Sequence, residues 1–312
     1  MGIRQFLAAS RKRVGRYGMR GVRESLYQLY YGVWANSIVA YDPGRPIWER
    51  EWDVLVVLDG FRADLMLELA DEFEYLDRVD SVLSNASTSS EWIEKNFREE
   101  YASLMEDTAY VSGNPHTEAY GDRLDQFGVL DEVWRYRWDE DVGTIRPVAL
   151  NERALDVWDE DDPGRLIVHY MQPHFPSIPH PEFGSEIEPG ATTGADALWT
   201  SVWDSLRAGE TATTRVWDAY RDNARFVLSA IAPLVRAIDG DRIVITADHG
   251  NAFGRFGIYG HPRGAPISDL RRVPWCIVST TDTAGSDVET PGARPDDLDV
   301  ELEDRLSDLG YK

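Results

Sequence analysis

Strand-like apolar runs in this sequence stop, at four places, on side chains able to do chemistry. "VLVVL" at 54–58 gives way to Asp59, Gly60, Phe61 and Arg62, and "RVDSVLS" at 78–84 leads into Ser87, Thr88, Ser89 and Ser90. "RLIVHYM" at 165–171 is followed by Gln172, Pro173 and His174. "RIVITA" at 242–247 is followed by Asp248, His249 and Gly250, with His261 twelve positions beyond His249. Two carboxylates, an imidazole and one further oxygen are what a hard or borderline divalent cation binds. The further oxygen can be a Ser or Thr hydroxyl, which a bound cation turns into a nucleophile. At a helix N-terminus that hydroxyl also has backbone N–H groups beside it, suited to a tetrahedral anion. Each piece alone has an ordinary reading: Asp59 as a loop cap, "STSS" as an N-cap cluster, Arg62 as half of a structural ion pair. Their joint occurrence at strand ends points instead to metal-assisted chemistry on an ester.

Such residues act together only if the elements carrying them line up. "VLVVL" is a continuous apolar run of strand length, as in a strand buried on both faces. A helix is expected over 64–76 with Asp64 as its N-cap, and another from about Ser90. "TAYVSG" (108–113), "RLIVHYM", "RIVITA" and "RRVPWCIVS" (271–279) read as further strands, and 214–238 as the longest helix. Strands alternating with helices of this length predict an α/β fold, a mostly parallel central sheet with helices on both faces. Ligands of open α/β sheets bind beyond the carboxyl ends of the strands, where the four motifs stand. The expected divisions are a basic amphipathic helical region at 1–50, a catalytic domain at 51–280, and a linker with a terminal helix at 281–312. Residues 176–213, rich in Pro, Gly, Ser and Thr, read as an excursion near the site.

Composition narrows the partners. The chain has 312 residues and a formal charge of −23, from 55 acidic against 32 basic side chains. Only Lys12, Lys95 and Lys312 are lysines. A lysine-poor acidic surface suits a protein kept soluble in concentrated salt, as in a halophilic archaeon, and disfavours non-specific nucleic-acid binding. Cys276, the single cysteine, lies in an apolar run, reads as a small core residue, and excludes an intrachain disulfide. No run is long enough for a transmembrane helix and no secretory leader is visible, so a cytoplasmic location is expected. The N-terminus departs from the acidic rule: Arg4, Arg11, Lys12, Arg13, Arg16, Arg20 and Arg23 all precede the first acidic residue, Glu24. With apolar residues near helical spacing, residues 1–35 are expected to contact a membrane surface peripherally, on the inner face. The alternative is a helix packed on its own acidic domain.

The motifs resemble the alkaline phosphatase superfamily, in its sulfatase and phosphoethanolamine/phosphoglycerol transferase branch. "LDGFRAD" is similar to that family's opening metal aspartate, and "HYMQPHFP" to its central histidine motif. "VITADHGNAFGRFGIYGHP" with "LRRVPWCIV" is similar to its C-terminal metal block, and "RLSDLGY" to the ending of many sulfatase-like chains. The resemblance covers about 52–312 and implies the superfamily's α/β fold. It implies Asp59, Asp248 and His249 as ligands of a divalent metal, zinc first, with manganese or calcium as alternatives. The nucleophile would come from the Ser/Thr turn; register favours Thr88, also a ligand, with Ser87 and Ser89 as the alternatives. His174 and His261 would bind the transferred group, protonate the leaving oxygen or hold a second metal, and Arg62 would neutralise substrate charge. His169 and His180 are less placed: the first is read as pointing into the sheet, the second as part of the excursion.

Departures from the family pattern bear on function. The turn "STSSEW" lacks the Pro and Arg of the C/S-x-P-x-R motif, so an unmodified hydroxyl is expected rather than formylglycine. Asn251 stands where an acidic residue is usual, and Arg255 and Phe256 where Glu and His are usual. The extra Asp and His pair of two-zinc phosphodiesterases is not found, so a single tightly held metal is expected. The expected function is a metal-dependent hydrolase or transferase of phosphate or sulfate esters, on a lipid-linked or glycan substrate. The alternative is a catalytically reduced, sulfatase-like binding or scaffold protein at the membrane.

Overall fold

The computed structural model describes residues 3–37, 44–183 and 201–278. Most of the expected excursion, 184–200, and the linker and terminal helix expected at 281–312 lie outside the described residues. Seven strands form the central sheet. They are β1 (Val54–Leu58), β2 (Leu76–Leu83), β3 (Thr108–Ser112), β4 (Val129–Asp131), β7 (Arg165–Tyr170), β8 (Ile243–Thr246) and β11 (Arg272–Val278). Two small hairpins, β5–β6 (Trp138–Asp139, Thr144–Ile145) and β9–β10 (Ala252–Phe253, Tyr259–Gly260), complete the set. The sheet order is β2-β11-β8-β1-β7-β3-β4. β8, β1, β7, β3 and β4 are parallel, while β11 runs antiparallel to both β8 and β2. The carboxyl ends of β1, β2, β3, β7 and β8 therefore share one edge.

β1 lies at the middle of the sheet with every residue buried, as its unbroken apolar run predicts. Its side chains alternate between two cores. Val54, Val56 and Leu58 join the cluster that includes Val216, Tyr220, Val227 and Ile231 of the long helix Thr213–Ala237. Leu55 and Val57 face the opposite layer, with Trp48, Trp52, Trp92, Phe97 and Tyr110. The sheet is thus covered on both sides, as the alternation of elements implied.

Two expected elements differ. The helix expected over 64–76 is α3 (Ala63–Leu69) followed by a single 3-10 turn, Ala70–Glu72. It stops because Tyr75 is drawn into the core, its hydroxyl donating to the Leu228 carbonyl at 2.7 Å, and Leu76 already begins β2. Asp64 is not the N-cap: Arg62 holds that position, and Asp64 sits in the first turn, where it accepts the Leu65 N–H. The next helix, α4 (Ser89–Asn96), starts one residue before the expected place.

The N-terminus forms two helices, α1 (Ile3–Tyr17) and α2 (Met19–Ser37), turning at Gly18, which has φ +55. α2 rests on the body through a buried ion pair of Glu24 with Arg207, whose guanidinium also lies over the Tyr27 ring. Among the described residues no helix is long and apolar enough to cross a membrane.

Candidate metal centre and nucleophile turn

Asp59 follows β1 directly, between Asp248 beyond neighbouring β8 and His169 near the end of neighbouring β7. The register sets Val57 against both Thr246 and His169. All three side chains are buried, and one donor atom from each lies within 4.8 Å of the others. Gly60 makes the turn after Asp59 with φ +70, and a Cβ there would lie 2.6 Å from Asn251 Nδ2. The same turn lets the Gly60 N–H donate to Asp248 Oδ1 at 3.0 Å, alongside the His249 N–H at 2.8 Å. Asp248 Oδ2 accepts no hydrogen bond although it is buried.

Hydrogen bonding fixes the imidazole of His249. Its Nδ1 lies 2.9 Å from the Gly250 carbonyl and must donate there, so in the neutral ring Nε2 carries the lone pair. That nitrogen stands 3.4 Å from Asp59 Oδ1 and 3.4 Å from Asp248 Oδ2. Two carboxylates and an imidazole lone pair facing one another in a buried site repel unless a cation lies among them. His169 stands beside the Asp248 carboxylate. Its Nδ1 meets the Tyr110 hydroxyl at 2.9 Å, while Nε2 is buried, unpartnered, and 3.7 Å from Asp248 Oδ2. Burial pushes the Asp248 carboxyl up, but His249 and His169 when protonated, supplying the positive charge that a cation otherwise would, outweigh it together with the Gly60 N–H and hold it well below the ordinary range. The donor set and its unpartnered atoms fit a divalent cation.

The "STSS" turn separates its hydroxyls by role. Ser87 Oγ lies 3.0 Å from both Glu91 Oε2 and the Pro262 carbonyl, stapling the turn to the loop after His261. Thr88 is the N-cap of α4, its Oγ1 accepting the Glu91 N–H at 3.1 Å. Ser89, the first residue of α4, reaches the donor cluster: its hydroxyl donates to Asp59 Oδ2 at 3.0 Å and lies 3.4 Å from His249 Nε2. The geometry therefore sets Ser89, not Thr88, against the carboxylate. Glu91 fixes the turn. Burial pushes its carboxyl up, but Lys95, the Ser87 N–H and Arg271 bring it down to about 2.

His174 and His261 form a second layer. Their Nε2 atoms are 2.7 Å apart, and His261 stacks on His249 with ring centroids 4.6 Å apart. His174 Nδ1 donates to the Phe175 carbonyl at 2.6 Å, so in the neutral pair His174 Nε2 accepts from His261 Nε2–H. His261 Nδ1 is then a buried lone pair with no partner. Burial, reinforced by His249, lowers the His174 pKa to about 4 and holds that of His261 well below the ordinary imidazole value.

Arg62 stands in the ion-pair role. It pairs with Asp64 and Asp269, and its Nη1 donates to the Asn251 carbonyl at 3.1 Å. Asn251 does not join the donor cluster; its Nδ2 donates to the Gly60 carbonyl at 3.0 Å. Arg255 pairs with Asp269, and Phe256 is exposed. His180 pairs with Asp222 on the long helix.

Three residues near the cluster escaped the reading of the sequence. His169 does lie in the sheet, with Trp92 and Tyr110 against its ring, yet its free nitrogen reaches Asp248. A polar ring one residue from the end of an apolar strand was its signal. Asn114 stands past the end of β3, a strand end no motif marked, and donates to Asp59 Oδ2 at 2.9 Å. His116 is exposed past the end of β3, and desolvation by neighbouring protein atoms, with His249 and His169 adding to it, lowers its pKa.

Neither the known family models nor the curated proteins include a match to this chain. Solved structures do match. The soluble domain of lipooligosaccharide phosphoethanolamine transferase A from Neisseria meningitidis aligns with 76% of this chain and 78% of its own, at 14% identity and a TM-score of 0.50. The C-terminal periplasmic domain of EcEptC from Escherichia coli, a complex with Zn, aligns over 76% and 75% at 14% identity and a TM-score of 0.49. A sulfatase-type protein from Bacteroides thetaiotaomicron aligns over 72% and 63% at 11% identity and a TM-score of 0.47. At such identities the first of these likenesses shows the fold: this chain has the sulfatase-like α/β fold that its motifs implied.

Proposed function

We propose that this chain is a metal-dependent hydrolase or transferase of phosphate or sulfate esters, with Ser89 as its nucleophile. The observation that carries the reading is Ser89 Oγ, 3.0 Å from Asp59 Oδ2 and 3.4 Å from His249 Nε2, in a buried cluster short of positive charge. Asp59, Asp248, His249 and His169 are the residues that would hold the metal, zinc first with manganese or calcium as alternatives. Bound there, it would supply the positive charge that favours a serine alkoxide and an anionic ester.

The chain's own groups account for the remaining steps. Ser89 gives its proton to Asp59, and its oxygen attacks phosphorus or sulfur as the bond to the leaving oxygen breaks. The N-terminal N–H groups of α4 face the anion that forms. Beside a bound anionic ester the one unpartnered nitrogen of the His174–His261 pair, His261 Nδ1, takes up a proton and gives it to the leaving oxygen. Water or an acceptor alcohol then attacks the seryl ester, giving its proton to His261 Nδ1 as the bond to Ser89 breaks and Asp59 returns its proton to Ser89. A lipid-linked or glycan ester is the substrate class, met at a surface that residues 1–35 contact.

The scaffold alternative drew on Asn251, Arg255 and Phe256, and the engagements of these residues leave the donor set complete. Metal analysis of protein purified in high salt, paired with turnover of model phosphate mono- and diesters, tests the reading. A stoichiometric divalent metal lost in Asp248→Ala, together with turnover, supports it. A metal-free protein that turns over none of these esters would falsify it.

A further inference from the structure

We propose that the outward face of α2, continued by Phe256, is a docking surface for an anionic lipid bilayer. α2 is turned the wrong way for a helix that ends in water. Its inner face carries Glu24, paired with Arg207, together with Tyr27 under the same guanidinium and Tyr31 against the cluster of Ala252, Ile258 and Leu270. Its outer face carries Met19 (77% exposed), Leu26 (60%), Leu29 (51%) and Tyr30. Spaced at seven, three and one, these residues form a single stripe along the helix. α1 packs beside α2 and adds Leu7 and Val14, one heptad apart and both exposed. A soluble helix normally shows the reverse arrangement, apolar inward and polar outward.

Charge selects the occupant. The first acidic residue is Glu24, and Arg4, Arg11, Lys12, Arg13, Arg16, Arg20 and Arg23 precede it in a chain of net charge −23. An apolar stripe beside a basic helix fits the boundary between acyl chains and anionic headgroups. A two-fold contact of this face with a second copy would set the same arginines against one another. In concentrated salt the headgroup attraction is screened within a few ångströms, whereas burial of the apolar stripe is not weakened.

The surface also runs to the site. The Tyr30 hydroxyl donates to the Phe256 carbonyl at 2.8 Å. Phe256 is 56% exposed and holds φ +53, an uncommon backbone for an aromatic residue, at the tip of the β9–β10 hairpin. The strand β10 that leaves this tip ends at Gly260, immediately before His261. A bilayer on the stripe would therefore lie beside the loop that carries His261. That the ester belongs to a lipid headgroup rests on the reaction proposed above; the surface itself does not.

Flotation of the full chain with vesicles tests the surface without requiring turnover. Wild type should float with phosphatidylglycerol/phosphatidylcholine vesicles, and Leu26→Glu/Leu29→Glu should lose binding at least about ten-fold with its helical circular dichroism and metal content unchanged. Phe256→Glu should lose part of the binding, and Arg11→Glu/Arg16→Glu should lose it chiefly at low salt. Wild type that stays with the soluble fraction at both low and high salt overturns the proposal, as does a Leu26→Glu/Leu29→Glu variant that floats like wild type. A dimer that becomes monomeric in that variant assigns the face to a second copy and overturns it too. Vesicle binding without ester turnover leaves the surface standing and removes the reaction.

Discussion

Asp59, Asp248, His169 and His249 are buried one ring away from His174, also buried, and His261, which is half-buried. They are nevertheless satisfied in opposite ways. The inner group brings two carboxylates and imidazole nitrogens together and leaves Asp248 Oδ2 and His169 Nε2 without partners. The outer group is two neutral rings that hydrogen-bond each other and a backbone carbonyl. Burial lowers the basicity of the outer rings, whereas the inner carboxylate at Asp248 stays ionised against its burial. Neighbouring layers can thus hold an anionic cradle and a neutral imidazole pair side by side, the difference set by which partners each nitrogen has.

Removing the hydroxyl at the inner edge should have the largest effect. Ser89→Ala is expected to lower turnover at least about a thousand-fold with metal retained, whereas Thr88→Ala should keep most of the activity and cost about 1 kcal/mol of stability as a lost cap. Full activity in Ser89→Ala would return the nucleophile to Thr88. In the outer layer, His261→Gln should lower kcat about a hundred-fold while the metal content stays that of wild type. Loss of metal in that variant would show that the two layers are one site. His169→Ala should weaken metal affinity by about ten- to a hundred-fold, read by chelator competition, and unchanged affinity would move His169 out of the cradle.

The smallest effect is expected at Glu91, which touches neither layer and holds the turn between them. Its carboxyl is at about 2 in the folded chain against an ordinary 4.5, so it stabilises the fold fully above 4.5. That contribution fades as pH falls from 4.5 toward 2. Glu91→Gln should cost about 2 kcal/mol at neutral pH and flatten the acid limb of a denaturation series across that window. An unchanged acid limb would mean that Lys95 and Arg271 do not hold the charge in solution.

The strand runs and their order along the chain were legible because continuous apolar segments have one good use, burial on both faces of a sheet. The same runs set Asp59, Asp248 and the serine/threonine turn at a common edge. Helix ends were less legible: 64–76 has helical periodicity throughout, yet Tyr75 gains more by entering the core than by continuing the helix. Asn114 was invisible because nothing local marks an amide as the partner of a carboxylate fifty-five positions away.

By itself, the sequence determined the α/β fold, the residue types that stand at the strand ends and the basic amphipathic start, since all three follow from periodicity and residue type over short stretches. Tertiary structure alone decided which hydroxyl of "STSS" faces the carboxylates, that His169 joins them, and that Arg62 is held in an ion pair. Those outcomes depend on the rotation of α4 about its axis and on the register of β7 against β1. Both are set by packing against residues from other elements, and no local pattern encodes them.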